Sequence, residues 1–189
     1  KLTKRKLQAI ETKNLIYNAA IELMDAVGFD NMTIVDISER AGVSVGSFYH
    51  YFESKHDILA EIFRKADEYF AEHVAGKLRA DTAKGRILEF FDHYARFNIA
   101  TTVETASQLF NPRIKVFINE DRIMISLLKH LIQEGIDSGE FRSSRDAGEM
   151  MRMLFMFARG IVFDWCLRDG ETDLADIMQK GISRLAETL

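Results

Sequence analysis

The sequence predicts an all-α protein, with a three-helix helix-turn-helix domain at the N-terminus and a helical bundle domain after it. Three observations predict it. Apolar residues recur at the i, i+3, i+4 spacing of amphipathic helices along almost the whole chain. One proline and eleven glycines in 189 residues leave few of the turns that strands require. Short Ser/Thr/Asp motifs stand just ahead of the apolar stripes, where helix N-caps belong. No strand pattern, internal repeat or low-complexity tract interrupts this layout.

The elements follow in order. Residues 1–12 form a basic arm, with Lys1, Lys4, Arg5 and Lys6 against Glu11, expected to be disordered in solution. A helical stripe then runs Ile16, Ala19, Ala20, Leu23, Met24, Val27 and stops at Gly28. Thr33 and Asp36 make a capping box for a short helix with Ile34, Ile37 and Ala41 facing one way, closed by Gly42. After a tight turn, Ser44 caps a second short helix that runs to Phe52. Ser54 and Asp57 make another box, opening a long helix through Ile58, Leu59, Ile62, Phe63, Ala66, Tyr69 and Phe70 to about Leu78. The domain layout is therefore arm 1–12, helix-turn-helix 13–56, connecting helix 57–80 and C-terminal domain 81–189.

In that last domain the first stripe is Ile87, Leu88, Phe91, Tyr94, Ala95, and a break is expected at Phe110, Asn111 and Pro112. A long helical segment carries Phe117, Ile118, Ile125, Leu128, Leu131 and Ile132 up to Ser138 and Gly139. Ser143 and Asp146 cap the next helix, which Gly170 ends. The final stripe is Leu174, Ile177, Met178, Gly181, Ile182, Leu185, Leu189. Residues 150–167 are apolar nearly all round, as in a helix buried on two sides. Arg152, Arg159 and Asp164 within that run argue for a buried helix and against a membrane span.

Several chemistries are excluded by composition. Cys166 is the single cysteine, so no internal disulfide forms and a reducing, cytoplasmic setting fits. His50, His56, His73, His93 and His130 are scattered, so no metal or other cofactor is expected. No nucleophile–base pair or glycine-rich phosphate loop is present, which argues against an enzyme. There is no apolar leader at the start.

Charge points instead to a local anion-binding surface. The net charge is −4, residues 1–65 hold nine basic and nine acidic side chains, and residues 66–189 hold sixteen against twenty. An acidic body with a basic arm suits a protein that meets nucleic acid at one place. The informative stretch is residues 33–55, TIVDISERAGVSVGSFYHYFESK. Two short helices joined by a glycine turn make a helix-turn-helix, whose second helix fits a DNA major groove. At helical spacing Phe48 and Phe52 turn inward, while Gly46, Ser47 and His50 lie on the opposite arc with Val45, Tyr49 and Tyr51 flanking. Hydroxyls and imidazole suit phosphates, and Val45 suits a thymine methyl. Lys55 and Thr33, each near a helix start, suit phosphates as well.

The aromatic run Phe48, Tyr49, His50, Tyr51, Phe52, the following Ser54 and Lys55, and the upstream segment 37–44 (ISERAGVS) resemble the DNA-binding domain of the TetR/AcrR family of bacterial regulators. The resemblance covers about residues 13–63 in sequence and the rest in helical layout. It implies DNA contacts at Thr33, Ser44, Val45, Gly46, Ser47, Tyr49, His50, Tyr51 and Lys55. Val45 departs from the longer polar residue many relatives carry there, which points to sparse direct base readout. The implied partner is a palindromic double-stranded operator bound by a homodimer, because one short reading helix has limited affinity.

For the dimer the last two helices offer Leu154, Phe157, Ile161, Leu174, Ile177, Met178, Gly181, Ile182 and Leu185 as a four-helix interface. The resemblance also implies a pocket for a small hydrophobic or amphipathic effector, with Phe90, Tyr94, Phe97, Gln108, Phe117, Met124, Phe155, Arg159 and Phe163 as candidates. Arg159, within so apolar a helix, calls for a partner: Asp164, Glu104 or an anionic ligand. Two alternatives stand beside the ligand-responsive repressor. One is a DNA-binding dimer without an effector, and the other a helical interaction protein or enzyme.

Overall fold

The computed structural model describes residues 3–110, 119, 121–141 and 146–188. Among them the secondary structure is wholly helical. The helices are α1 Lys4–Val27, α2 Ile34–Ala41, α3 Val45–Tyr51, α4 His56–His73, α5 Ala83–Thr101, α6 Val103–Gln108, α7 Ile123–Asp137, α8 Ala147–Leu167 and α9 Leu174–Ala186. They form two compact units, Lys1–Arg64 and Lys65–Leu189. Among the described residues no helix is long and apolar enough to cross a membrane.

The first unit is built around Ile16, Ala20 and Met24 of α1, Met32 and Ile37 around α2, Phe48 and Phe52 around α3, and Ile58 and Ile62 of α4, all buried. The caps read from the sequence at the heads of α2 and α3 form as hydrogen bonds. Thr33 and Asp36 bond reciprocally at the head of α2, and the Ser44 hydroxyl accepts from the Ser47 N–H at the head of α3. Gly42 ends α2 in the left-handed region, φ +67°, a conformation glycine adopts without a Cβ penalty. The N-terminal segment differs from expectation. It is helical from Lys4, because the Thr3 hydroxyl accepts the Lys6 N–H and starts α1 well ahead of the apolar stripe.

The second unit packs Phe70 and Val74 with α5 and α7–α9 around one core that includes Phe90, Phe91, Leu128, Met150, Leu154, Met178 and Ile182. The Glu140 carboxylate, in the segment after α7, accepts the Ala83 and Lys84 N–H groups at 2.7 and 2.8 Å and so caps α5 from outside. The sequence reading differs in four places. α4 ends at His73 and not near Leu78. Thr102, at φ +71°, separates α5 from α6, a break no proline or glycine announces. α7 begins at Ile123, and Asp146 is the N-cap of α8, its side chain accepting the Glu149 N–H. Ser143, Asn111, Pro112, Phe117 and Ile118 lie outside the described residues.

Gly135 of α7 shows how tightly this unit is packed. A Cβ there would collide with the Phe141 ring and lie 2.9 Å from the Ala83 Cβ. Gly135→Ala is therefore expected to lower stability by about 1–3 kcal/mol through overpacking, although alanine is the better helix former. A denaturant titration measures it. An alanine variant as stable as the parent would show that Phe141 moves aside freely.

Candidate functional site

In the first unit the second short helix turns one face outward. Phe48 is fully buried and Phe52 nearly so, with ring centroids 5.7 Å apart, which pins α3 to the core. The opposite arc is open: Tyr49 is 55% and Val45 39% exposed, and His50 is exposed with its ring edge-on to Tyr51 at 4.9 Å. A Cβ on Gly46 would meet only the Ser44 Oγ at 3.8 Å, so nothing of the chain itself obstructs close approach there. Ser47 and Tyr51 are half-buried at the edges of this arc.

Two further residues read as phosphate contacts are engaged within the chain. Thr33 Oγ1 accepts the Asp36 N–H and donates to Asp36 Oδ2 at 2.6 Å, and the Thr33 N–H donates to the same oxygen at 2.8 Å. The two bonds to the carboxylate, the hydroxyl's first, hold the Asp36 carboxyl below its ordinary range. Lys55 directs its ammonium at three carbonyls, Phe29 O at 2.9 Å and Asp30 O and Met32 O at 3.3 Å each. The same ammonium sits 4.7 Å from the Phe29 ring centroid. An ammonium has three donors, and these acceptors match them in number.

A charged cluster, unmarked in the sequence, braces the same unit. Glu61, 5% exposed, accepts from Lys13 Nζ at 2.7 Å and Arg64 Nε at 2.8 Å, joining α1 to α4. Burial pushes its carboxyl up, but the hydrogen bonds from Arg64 and Lys13 outweigh that and hold it below its ordinary range. Burial, and then the Glu61 charge, push the nearby Tyr17 phenol up.

In the second unit the structure brings some effector candidates together and separates others. The rings of Phe90 and Tyr94 each stand 6.0 Å from that of Phe155, all three buried, and Met124 belongs to the same core. Arg159 Nε donates to the Phe155 carbonyl at 3.0 Å, and its guanidinium lies 5.9 Å from the Phe155 ring. Burial raises the Tyr94 phenol, against the pull of Arg159 and Arg122. Burial also lowers the Arg159 guanidinium, as does Arg122, while Tyr94 works the other way. Phe97 is half-buried beside Tyr69 at 5.6 Å. Gln108 Nε2 donates to Glu104 Oε1 at 3.3 Å. Phe163 is 47% exposed and packs on Phe110, away from the ring cluster. Phe117 lies outside the described residues. Asp164, considered as a partner for Arg159, instead pairs with Arg168 at 2.9 Å.

Sequence reading did not find Asp67 and Arg122. Arg122, 8% exposed, donates through Nε to Asp67 Oδ2 at 2.9 Å and through Nη2 to Oδ1 at 3.3 Å. Their 55-residue separation leaves no local signal. A separate hollow of about 400 Å³, lined by charged and polar residues including Lys77, Arg79, Glu89 and His93, lies elsewhere on this unit.

The proposed dimer residues divide by burial. Leu154, Leu174, Met178 and Ile182 are fully buried in the chain's own core and offer nothing to a second copy. Phe157 and Ile177 are 42% and 38% exposed, joined by Met156 at 62%, with Ile161, Gly181 and Leu185 half-buried alongside. Gly181 serves the chain's own packing, since a Cβ there would lie 2.8 Å from Phe157 Cε1.

Residues 16–62, which hold this exposed reading face, match the family described as bacterial regulatory proteins, tetR family. Over 166 residues the chain is 28% identical to the fatty acid metabolism regulator protein of Bacillus subtilis strain 168, covering 84% of this chain and 86% of that one. Residues 16–62 therefore carry a tetR-family module. Solved structures carry the same fold. The fatty acid degradation regulator FadR from Bacillus halodurans superposes with a TM-score of 0.75 at 22% identity, covering 94% of this chain and 96% of FadR. FadR from Bacillus subtilis in complex with stearoyl-CoA superposes with a TM-score of 0.74 at 24% identity, covering 93% and 98%.

Proposed function

We propose that this chain is a cytoplasmic, homodimeric repressor whose grip on a palindromic operator is loosened by a long-chain fatty acyl thioester. The observation that carries the reading is the extent of similarity to the Bacillus subtilis fatty acid metabolism regulator. It spans 84% of the chain and so reaches well past the DNA-binding unit into the second one. The side chains there suit such a ligand: Phe90, Phe91 and Phe155 are apolar, and Tyr94 and Arg159 supply a polar end. On the DNA side, Val45, Gly46, Tyr49 and His50 meet the major groove, with Ser44, Ser47 and Tyr51 at the margins. Thr33 and Lys55 set the helices that present them. The chain binds and lets go, and no reaction is assigned to it.

The test is fluorescence anisotropy on a labelled fragment from upstream of the chain's own gene, titrated with palmitoyl-CoA, palmitate and free coenzyme A. Palmitoyl-CoA is expected to raise the operator Kd by about tenfold or more, within the usual span of roughly 5–150-fold for allosteric coupling. Free coenzyme A should leave it unchanged. If no acyl-CoA from medium to long chain bound the protein or altered its operator affinity, the effector half of the reading would fall.

A further inference from the structure

We propose that the Asp67–Arg122 ion pair is a latch between α4 and α7, and that ligand binding in the second unit lowers DNA affinity by opening it. The proposal rests on the ligand-responsive reading above and names its transmission.

The pair is built as a tie. Both Asp67 oxygens engage Arg122 in the fork geometry that makes guanidinium–carboxylate contacts directional. Asp67 Oδ1 also accepts the Met124 N–H, 3.2 Å away, in the first turn of α7. Arg122, the N-cap residue of α7, makes no side-chain cap bond, so the carboxylate from α4 does that work in its place. One carboxylate thus compensates a nearly buried guanidinium and a helix N-terminus together. A contact of this kind is either made or broken, which is what a two-state coupling element requires.

Its position gives it two ends. Asp67 lies on α4, a helix that runs without interruption from His56 to His73, so its first turns belong to the DNA-binding unit. Arg122 is nearly buried, and its charge acts on buried Tyr94 and on half-buried Arg159. A ligand oxygen arriving beside Tyr94 and Arg159 competes with Asp67 for Arg122. When Arg122 turns to it, α4 loses its attachment to the head of α7.

The test uses the full-length chain as Asp67→Asn, Arg122→Gln and the double variant, with circular dichroism confirming the fold. Operator Kd is measured by anisotropy without ligand and with saturating palmitoyl-CoA, and palmitoyl-CoA binding is measured separately by calorimetry. Without ligand, each single variant is expected to bind the operator about tenfold more weakly or worse, and the double variant no more weakly than either, because the pair acts as a unit. Asp67→Asn should still bind palmitoyl-CoA, yet the ligand should then change its operator Kd by less than about twofold. The latch is overturned by parental operator affinity in the folded variants, by losses that add in the double variant, or by an undiminished response to palmitoyl-CoA. If palmitoyl-CoA fails to bind the parent protein, the acyl thioester reading fails on that measurement. The ligand-free affinities of the variants still decide the latch.

Discussion

Replacing Lys55 with methionine is expected to weaken operator binding by at least about tenfold while leaving the salt dependence of binding unchanged. The resemblance of the segment around Lys55 to TetR/AcrR DNA-binding domains implies a phosphate contact at this residue. In the structure its ammonium faces the carbonyls of Phe29, Asp30 and Met32 and lies against the Phe29 ring. Those carbonyls belong to the turn between α1 and α2, and Met32 immediately precedes Thr33, the cap of α2. Lys55 therefore holds the start of the helix-turn-helix against the start of α4. Hydrogen bonds to a charged donor contribute about 1.5–3 kcal/mol each at most, and the three share one ammonium, so a loss of about 2–4 kcal/mol in stability is expected. A lysine that neutralises a phosphate releases a counterion, and its removal lowers the slope of log K against log salt by about one. A lysine that positions the turn leaves that slope alone. Titrations across a series of salt concentrations, with thermal melts alongside, separate the two roles. A slope lower by about one with an unchanged melt would return Lys55 to the phosphate.

The contrast between Lys55 and its neighbours shows what the chain reveals locally. Capping boxes, glycine stops and inward phenylalanines are short-range features, so α2, α3 and an outward arc holding Gly46 and His50 are legible in the residues alone. Ser47, expected on that arc, is instead half-buried, and the flanking Val45 and Tyr49 are exposed. The direction of a long side chain is different, because it depends on acceptors supplied 23 to 26 residues away. The same holds for Glu61, whose partner Lys13 is 48 residues distant, and for the Asp67–Arg122 pair. Periodicity locates the stripes of α8 and α9 but does not say which stripe serves the chain's own core. Leu154 and Phe157 are three residues apart on one apolar run, and only packing distinguishes the buried one from the exposed one. Backbone features without a residue signature, such as the positive φ of Thr102, leave no trace in the pattern.

That distinction between buried and exposed positions on α8 leads to the other large expected effect. Phe157→Glu is expected to convert the protein to a monomer and to weaken operator binding by about 100-fold or more. Phe157, Met156 and Ile177 present large apolar side chains to solvent on adjacent helices, and Gly160, where a Cβ would meet nothing within 4 Å, leaves room beside them. A second copy of the chain covers such a face isologously, so one glutamate enters the interface twice, and each buried charge arrives without a partner. Two tethered reading helices bind paired half-sites with an effective concentration that raises affinity by about 10²–10⁴ over one alone, and a monomer forfeits that gain. Leu154→Glu supplies the contrast, because that side chain is fully buried and its replacement should unfold the second unit. Sedimentation equilibrium and anisotropy on whole and half operators read the outcome. A Phe157→Glu protein that remains dimeric and binds the whole operator at parental affinity would place the interface elsewhere. A folded monomer that binds half and whole operators alike would place it on the face of α8 and α9 that carries Phe157, Met156 and Ile177.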